Sequence, residues 1–282
     1  MLNEAQNTLI PNGREHIAAA FAHAARNGRA AALMPYYTLG YPDRAASLDV
    51  ITAIAPDSDL LELGVPFSDP LADGPTIQHS TQISLEQGTT LRDCLDMVRE
   101  LRGRGVAVPI LLFGYYNPFL AYGLEALARD AAAAGAQGFI VPDLPPEEAA
   151  EMEAAAAQAG LAYVHLLAPT SSPHRIITVT ERARGFIYLV SVTGVTGARQ
   201  RLQSNLDEFV GRVRERTDVP LAVGFGISTP EQAAAIGRLA DGVIVGSALI
   251  NAVDEAQVHK PAAAAAFVRA LRTALEVNEI DE

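Results

Sequence analysis

The sequence predicts a (β/α)8 TIM barrel with an extra helix at the amino terminus, and three observations support this fold class. Short segments rich in Val, Ile and Leu alternate eight times with helix-like segments, a pattern typical of a parallel sheet covered by helices. The 282 residues suit one barrel, which typically takes about 250. No linker interrupts the alternation, so residues 1–282 are expected to form one domain. An open, doubly wound sheet is the alternative.

The elements follow from hydrophobic spacing and from the glycines that end each segment. Ile17, Phe21 and Ala24 recur at helical intervals before Gly28, which predicts a leading helix over 14–27 after a flexible tail at 1–12. The eight strands are predicted at 31–39, 60–64, 108–113, 138–141, 163–167, 186–191, 221–223 and 242–245. The helices after them are predicted at 43–55, 89–102, 124–134, 146–159, 172–183, 205–216, 230–239 and 261–277, before an acidic tail at 278–282.

Charge and cysteine content exclude several classes of partner. The net charge of −12 and a pI near 4.9 argue against nucleic acid or an anionic membrane surface, because both would repel such a chain. No apolar run approaches the roughly 20 residues that span a bilayer, and residues 1–12 lack the features of a targeting signal. The single cysteine, Cys94, sits at core-like helical spacing. These features predict a cytoplasmic protein without disulfides.

The basic residues and the histidines narrow the chemistry. Lys260 is the only lysine and lies far from any predicted strand end, which argues against a Schiff-base enzyme or a pyridoxal site in this chain. The six histidines show no zinc-ligand spacing, and only His165 falls in a predicted strand, so a core or surface role is expected. We therefore expect neither a metal nor a cofactor in this chain.

Two carboxylates stand at the end of the second predicted strand. Glu62 belongs to a short apolar run, and Asp73 follows in a loop that contains Pro66, Pro70 and Pro75. Burial without a partner raises the pKa of a carboxyl group and makes it suitable for acid and base catalysis near neutral pH. The prolines restrict the loop and therefore the position of Asp73. The pair is the first candidate for a catalytic site.

Structural roles are the alternatives for these carboxylates. Glu62 would then pair with an arginine, and Asp73 would cap a helix that begins near Thr76. Active sites of barrels lie at the carboxyl ends of the strands, and Tyr115 and Tyr188 also fall there. This convergence favours the catalytic interpretation.

Three glycine-rich loops follow the last three predicted strands: 194–197, 224–228 and 246–247. Barrels often bind phosphate with the loops after strands seven and eight and the start of a short helix, here near Ser247. Backbone N–H groups hold an anion without lysine. A dinucleotide fingerprint is excluded because position 229 is Thr where a third glycine is required. The remaining alternative is that these glycines only form tight turns.

Taken together, these motifs resemble the tryptophan synthase alpha chain family. They occur in the family's order between about residues 35 and 250, and the block at 62–75 is the most specific. The matching segments are 35–40, 62–75, 115–117, 142–145, 194–197, 224–228 and 246–247.

The resemblance implies an (α/β)8 barrel with carbon–carbon lyase activity, which cleaves indole-3-glycerol phosphate to indole and glyceraldehyde 3-phosphate. It implies that Glu62 is the acid and base, that Asp73 receives the indole N–H, and that Tyr188 lies near the scissile bond. Thr196 resembles a lid residue that meets Asp73 on closure, with Gly194 as a hinge. The residues that resemble the phosphate contacts are Gly197, Phe225, Gly226, Gly246 and Ser247.

An apolar slot for the indole ring is expected from side chains at the strand ends. Its expected members are Tyr36, Phe113, Tyr115, Ile140, Tyr188, Phe225 and Ile244.

By the same resemblance, the partner is a beta chain that carries pyridoxal phosphate (PLP) and receives indole, in an α2β2 heterotetramer. Asp69, Pro70 and Leu71 are expected at that contact. Two alternatives stay open: a stand-alone indole-glycerol-phosphate lyase, and a barrel that serves mainly as a non-catalytic activating or scaffolding subunit.

Overall fold

Eight parallel strands close into a barrel in the computed structural model, which describes residues 12–190, 199–224 and 226–276, with backbone alone for 199–205. Each strand pairs with the next along the chain, and the last pairs with the first. The prediction of a closed barrel is confirmed, and the open doubly wound sheet is wrong. The strands are β1 (Ala32–Thr38), β2 (Leu61–Gly64), β3 (Ile110–Phe113), β4 (Gly138–Ile140), β5 (Ala162–Leu167), β6 (Ile187–Val190), β7 (Leu221–Gly224) and β8 (Gly242–Val245).

Helices surround the barrel, and most lie close to their predicted bounds. The helices are α1 (Gly13–Arg26), α2 (Arg44–Ile54), α3 (Pro75–Glu86), α4 (Leu91–Gly103), α5 (Tyr116–Tyr122), α6 (Leu124–Ala134), α7 (Ala150–Gln158), α8 (Pro173–Arg182), α9 (Arg199–Arg214), α10 (Pro230–Gly237), α11 (Ser247–Glu255) and α12 (Lys260–Ala274). A short 3₁₀ turn, Ala55–Asp57, follows α2.

Three observed helices differ from the predicted set. α5 was not predicted because it is one of the shortest helices and contains Pro118, so its apolar spacing gives little signal. α3 was expected only in the case that Asp73 caps a helix beginning near Thr76, and it begins at Pro75 with Gly74 as its N-cap. α9 begins at Arg199, earlier than the predicted 205, because its first turns are polar and lack the apolar period that marks a helix.

Side-chain caps fix where several helices start. The side chains of Asp43, Thr90, Ser172 and Thr229 each accept a hydrogen bond from a backbone N–H in the first turn of α2, α4, α8 and α10. Such caps satisfy N–H groups that have no partner inside the helix. They therefore fix the residue at which each of these four helices begins.

Strand register determines which side chains point into the barrel. Tyr36 on β1 pairs with Glu62 on β2, and paired residues of parallel strands share a face. Because side chains alternate along a strand, Gly64 points inward as Glu62 does. On β6 and β7, Tyr188 pairs with Ala222 on the same interior face. The barrel interior therefore holds the carboxyl group of Glu62 together with the phenols of Tyr36 and Tyr188.

The α1 helix lies at the amino-terminal end of the barrel. Its side chains Ile17, Phe21 and Ala24 are buried, and the ring centroids of Phe21 and Phe186 lie 5.8 Å apart. Cys94 is fully buried on α4, as its core-like spacing indicates. None of the helices in the described part of the chain is long and apolar enough to cross a membrane.

Candidate active site

A cavity of about 310 Å³ opens at the carboxyl ends of the strands. Barrel enzymes place their active sites at this end. The loops after β2, β7 and β8 form its rim together with side chains from inside the barrel. The lining residues are Tyr36, Glu62, Asp73, Ile77, Phe113, Tyr188, Gly226, Ile227, Ser228, Ile244, Gly246, Ser247, Ala248 and Asn251.

Glu62 is the most constrained carboxylate of the cavity. Its side chain is 0% exposed, and neither carboxylate oxygen has a hydrogen-bond partner among the described residues. The alternative of a structural pair with an arginine is therefore wrong for that part of the chain. Burial raises the pKa of Glu62 well above its ordinary value, because desolvation disfavours the charged form. A carboxyl group in this state can deliver a proton at neutral pH.

Asp73 occupies a different environment on the rim. It is half-buried, and the hydroxyl of Tyr115 donates a hydrogen bond of 2.9 Å to its Oδ2. Burial raises its pKa to about 6, although the bond from Tyr115 opposes this rise. Helix α3 starts at Pro75 with Gly74 as its N-cap and without a side-chain cap bond. The capping alternative for Asp73 is therefore wrong, and its carboxylate is directed to Tyr115.

Glycines on neighbouring strands make room for the two interior tyrosines. A Cβ at Gly64 would lie 2.0 Å from Tyr36 Oη, and one at Gly224 would lie 2.3 Å from Tyr188 Oη. Both contacts are shorter than van der Waals packing permits. Burial, and secondarily the nearby carboxylates, raise the pKa of both phenols. The tyrosines therefore stay neutral and present hydroxyl groups beside Glu62.

An aromatic wall forms one side of the cavity. The ring of Phe113 meets the ring of Tyr36 edge-on, with centroids 5.5 Å apart and planes at 86°. Ile77 and Ile244 extend this apolar surface. Such a wall matches a flat aromatic group, because edge-to-face contacts and apolar burial both favour it.

The loops after β7 and β8 offer backbone N–H groups to the cavity. Gly226 adopts a positive φ of 79°, a conformation that glycine adopts without steric cost. Helix α11 begins at Ser247 directly after Gly246, and the first residues of a helix have no intrahelical acceptor for their N–H groups. This end of a helix dipole favours an anion. The rim can hold a phosphate group without lysine.

The structure brings most of the predicted site residues together, with one exception. Tyr36, Phe113, Tyr188 and Ile244 all line the cavity, as do the phosphate candidates Gly226, Gly246 and Ser247. Tyr115 reaches the site through Asp73.

Ile140 is the exception, because among the described residues it is not part of the lining. Its side chain is fully buried, and because Ile140 pairs with Phe113 of β3 it shares the interior face of the barrel with that ring. Thr196, Gly197 and Phe225 lie outside the described residues, as do Val192, Thr193 and Gly194.

Sequence reasoning missed five lining residues: Ile77, Ile227, Ser228, Ala248 and Asn251. Ile77 lies in the first turn of α3, whose start at Pro75 follows Asp73 closely. Asn251 lies four residues after Ser247 on α11, hence on the same helix face. Helical spacing counted from the predicted helix starts would have found both.

Two relatives are similar to this chain over most of its length. The tryptophan synthase alpha chain of Roseiflexus castenholzii is 53% identical over 258 residues, which covers 91% of this chain and 98% of the relative. That of Chloroflexus aggregans is 51% identical over 258 residues, covering 91% and 96%. The sequence model described as "Tryptophan synthase alpha chain" matches residues 21–278.

Solved structures agree with these relatives. A structure of Mycobacterium tuberculosis tryptophan synthase superposes with a TM-score of 0.84 at 41% identity and covers 93% of this chain and 98% of that one. The tryptophan synthase subunit alpha of Legionella pneumophila superposes with a TM-score of 0.85 at 36% identity, covering 92% and 98%.

The closed barrel and the carboxylate-lined cavity at its carboxyl end define the class of protein, a (β/α)8-barrel enzyme. The family model and the relatives match most of the chain and identify the family within this class. The chain belongs to the tryptophan synthase alpha chain family. Its activity is the lyase reaction of that family, the cleavage of indole-3-glycerol phosphate in tryptophan biosynthesis, which confirms the resemblance found in the sequence.

Proposed function

We propose that Glu62 and Asp73 carry out the cleavage of indole-3-glycerol phosphate in the cavity described above. The observation that carries this proposal is the position of Glu62. It is fully buried at the cavity and has no partner for either oxygen among the described residues. A buried carboxyl group is held ready to exchange a proton with a bound substrate.

The proposed reaction uses Glu62 twice. Protonated Glu62 delivers its proton to C3 of the indole ring, while the ring nitrogen supplies electrons and becomes positively charged. The bond between C3 and the glycerol carbon then breaks, and its electrons restore the indole ring. The hydroxyl on that glycerol carbon loses its proton to the Glu62 carboxylate and becomes the aldehyde of glyceraldehyde 3-phosphate. Glu62 is thereby protonated again, and the proposed reaction requires no cofactor.

Asp73 stabilises the charge that develops on the ring nitrogen. Its pKa of about 6 leaves it ionised at neutral pH, so it accepts the indole N–H as positive charge grows there. The hydrogen bond from Tyr115 fixes one oxygen and orients the other. Glu62 and Asp73 thus differ in protonation because their environments differ.

Other residues of the cavity would bind the rest of the substrate. Tyr36, Phe113 and Ile244 would contact the indole ring, and Tyr188 would face the glycerol carbon next to it. The N–H groups near Gly226 and Ser247 would hold the phosphate. Gly246, and with it Gly197 and Phe225, completes the proposed phosphate site, and Thr196 belongs to the proposed lid.

Substitution of Glu62 tests the proposal. Glu62→Gln keeps the shape of the side chain and removes its acid, so kcat should fall by about 10²–10⁴-fold. The affinity for a non-cleavable indolyl alkyl phosphate, measured by calorimetry, should change little. Glu151→Gln, an exposed change on α7, is the matched control. Substantial turnover by Glu62→Gln would exclude the assigned role.

A second substitution tests the phosphate rim. Gly226→Val should raise KM for the phosphorylated substrate far more than for its dephosphorylated analogue. The reason is that a side chain at a positive φ displaces the backbone N–H groups that hold the anion. Equal effects on both substrates would contradict a phosphate site at this loop.

We also propose that a beta chain carrying PLP is the partner, in an α2β2 heterotetramer, and that this chain holds no cofactor of its own. The loop of Asp69, Pro70 and Leu71 is the proposed contact. Its support is the exposure of Leu71, which is 93% accessible, since a large apolar side chain on the surface often marks an interface.

Affinity for the beta chain tests this contact. Leu71→Ser should weaken the binding of a PLP-loaded beta chain, whereas Val258→Ser should not. Val258 is also apolar and 74% exposed but follows α11 elsewhere in the chain. Equal affinities in both variants would rule out the loop as the contact.

Indole release by the chain alone and with the beta chain separates the remaining roles. Strong activation by the partner supports an alpha subunit, whereas fast turnover that the partner leaves unchanged indicates a stand-alone lyase. Absence of turnover in both cases indicates a scaffold.

We further propose that the protein is a single-domain, cytoplasmic enzyme. Its membership of a biosynthetic enzyme family supports this proposal.

A further inference from the structure

A second cleft, of about 720 Å³, lies at the amino-terminal end of the barrel. Helix α1 forms one wall, α12 contributes Arg272, and the residues that precede β2 and β3 form the floor. Because the candidate active site opens at the carboxyl ends of the strands, the cleft and the active site lie at opposite ends of the barrel. Its volume is in the range of small-molecule sites.

Basic side chains from three separate elements converge on this cleft. His16, His23 and Arg26 share one face of α1, because their spacing follows helical intervals. Arg104 comes from the end of α4 and Arg272 from α12. The apolar part of the lining consists of small side chains: Ala19, Ala20, Ala55, Pro56, Val106, Ala107, Val108 and Pro109.

The only carboxylate among the described lining residues is already neutralised. Asp59 forms a buried ion pair with Arg29 and accepts a hydrogen bond of 2.9 Å from the backbone N–H of Leu33. It therefore offers no negative charge to the arginines of the cleft.

The arginines differ in how far their charge is compensated. Arg104 pairs with Asp49 at 2.7 Å and with Glu100 at 2.8 Å. Arg272 donates only a long bond of 3.3 Å to a backbone carbonyl. The guanidinium group of Arg26 has no hydrogen-bond or ion-pair partner in the described part of the chain. Uncompensated positive charge thus collects in one cleft of a chain whose net charge is −12.

We propose that this cleft binds a small phosphate-bearing metabolite. Arg26 and Arg272 hold the phosphate, because guanidinium groups match phosphate oxygens with paired donors. His16 and His23 line the approach, and the alanine and proline wall contacts the organic part of the ligand. The site is separate from the phosphate rim of the active site and does not depend on the proposed roles of Glu62 and Asp73.

Inorganic phosphate is the probe that tests the site, with the full chain observed by NMR of the histidine side chains. Signals of His16 and His23, assigned with His16→Gln and His23→Gln, should shift and saturate as phosphate is added. His174 and His259 lie outside the cleft lining and serve as internal references. Phosphate bound near Ser247 leaves the His16 and His23 signals unchanged because it lies at the opposite end of the barrel.

Two variants decide the result. The double variant Arg26→Gln/Arg272→Gln should bind phosphate at least about tenfold more weakly, as expected when charge-assisted hydrogen bonds are lost. Arg129→Gln, an exposed change on α6, should bind as the parent does. Unchanged His16 and His23 signals would overturn the proposal. Shifts that persist undiminished in the double variant would also overturn it, because they would indicate an adventitious ion only.

Discussion

Replacement of Asp73 by asparagine tests the electrostatics of the candidate site. The unfolded chain has an ordinary aspartate pKa of 3.8 at this position, whereas burial raises the folded value to about 6. Below pH 3.8 the carboxyl group is protonated in both states. Between these two pKa values the unfolded chain releases the proton and the folded chain keeps it. The free energy of unfolding therefore falls as pH rises from 3.8 to about 6. The amide of the Asp73→Asn variant does not titrate, so the variant escapes this loss.

The magnitude follows from the two pKa values. A pKa difference of about 2 corresponds to about 3 kcal/mol. Asp73 is only half-buried, so solvent screens part of the effect and the measured change should be about 1–3 kcal/mol. The free energy of unfolding of Asp73→Asn, minus that of the parent, should rise by this amount between pH 4 and pH 7.

Urea unfolding at intervals of half a pH unit measures this difference. Asp207→Asn, which removes an exposed carboxylate on α9, is the matched control and should show a much smaller change with pH. A difference between Asp73→Asn and its parent that stays flat from pH 4 to pH 7 would refute the assignment of a raised pKa to Asp73.

Three further predictions concern the same cavity. Tyr115→Phe removes the hydrogen bond that lowers the pKa of Asp73, so the acidic limb of the kcat/KM profile should move to higher pH; an unmoved limb would contradict the coupling. Gly64→Ala places a Cβ 2.0 Å from Tyr36 Oη and should cost about 1–3 kcal/mol in the free energy of unfolding and raise KM, whereas a neutral result would show that the ring yields freely. Glu62→Leu removes a buried carboxyl group without a partner among the described residues and should stabilise the fold by about 1–3 kcal/mol in urea unfolding while abolishing cleavage; a destabilised variant would indicate a structural role.

Local patterns in the sequence were sufficient to predict the architecture. The predicted bounds of β8 at 242–245 and of α6 at 124–134 match the structure, because a short apolar run between glycines and an amphipathic helix ended by Gly135 are both local signals. The parallel alternation then places Glu62, two residues before the end of β2, near the carboxyl-terminal end of a barrel where active sites lie. The family motif around Asp73 supplied the expected reaction.

Contacts between residues that are distant in the sequence depend on how the strands and loops pack. Tyr115 lies 42 residues from Asp73, yet it donates the hydrogen bond that fixes that carboxylate. No periodicity encodes this contact, because the pairing of β2 with β3 brings together the loops that follow these two strands. Ile140 shows the same limit, since it pairs with Phe113 on the interior face of the barrel, yet Phe113 lines the cavity and Ile140 does not.

The order of the strands and helices, the buried faces of these elements and the identity of the two carboxylates all follow from local sequence patterns. The tertiary structure decided that Glu62 lacks a partner among the described residues, that Asp73 is held by Tyr115, and that basic residues of α1, α4 and α12 share one cleft. The physical reason is that hydrophobic periodicity acts over a few residues, whereas desolvation and charge depend on every element packed around a group.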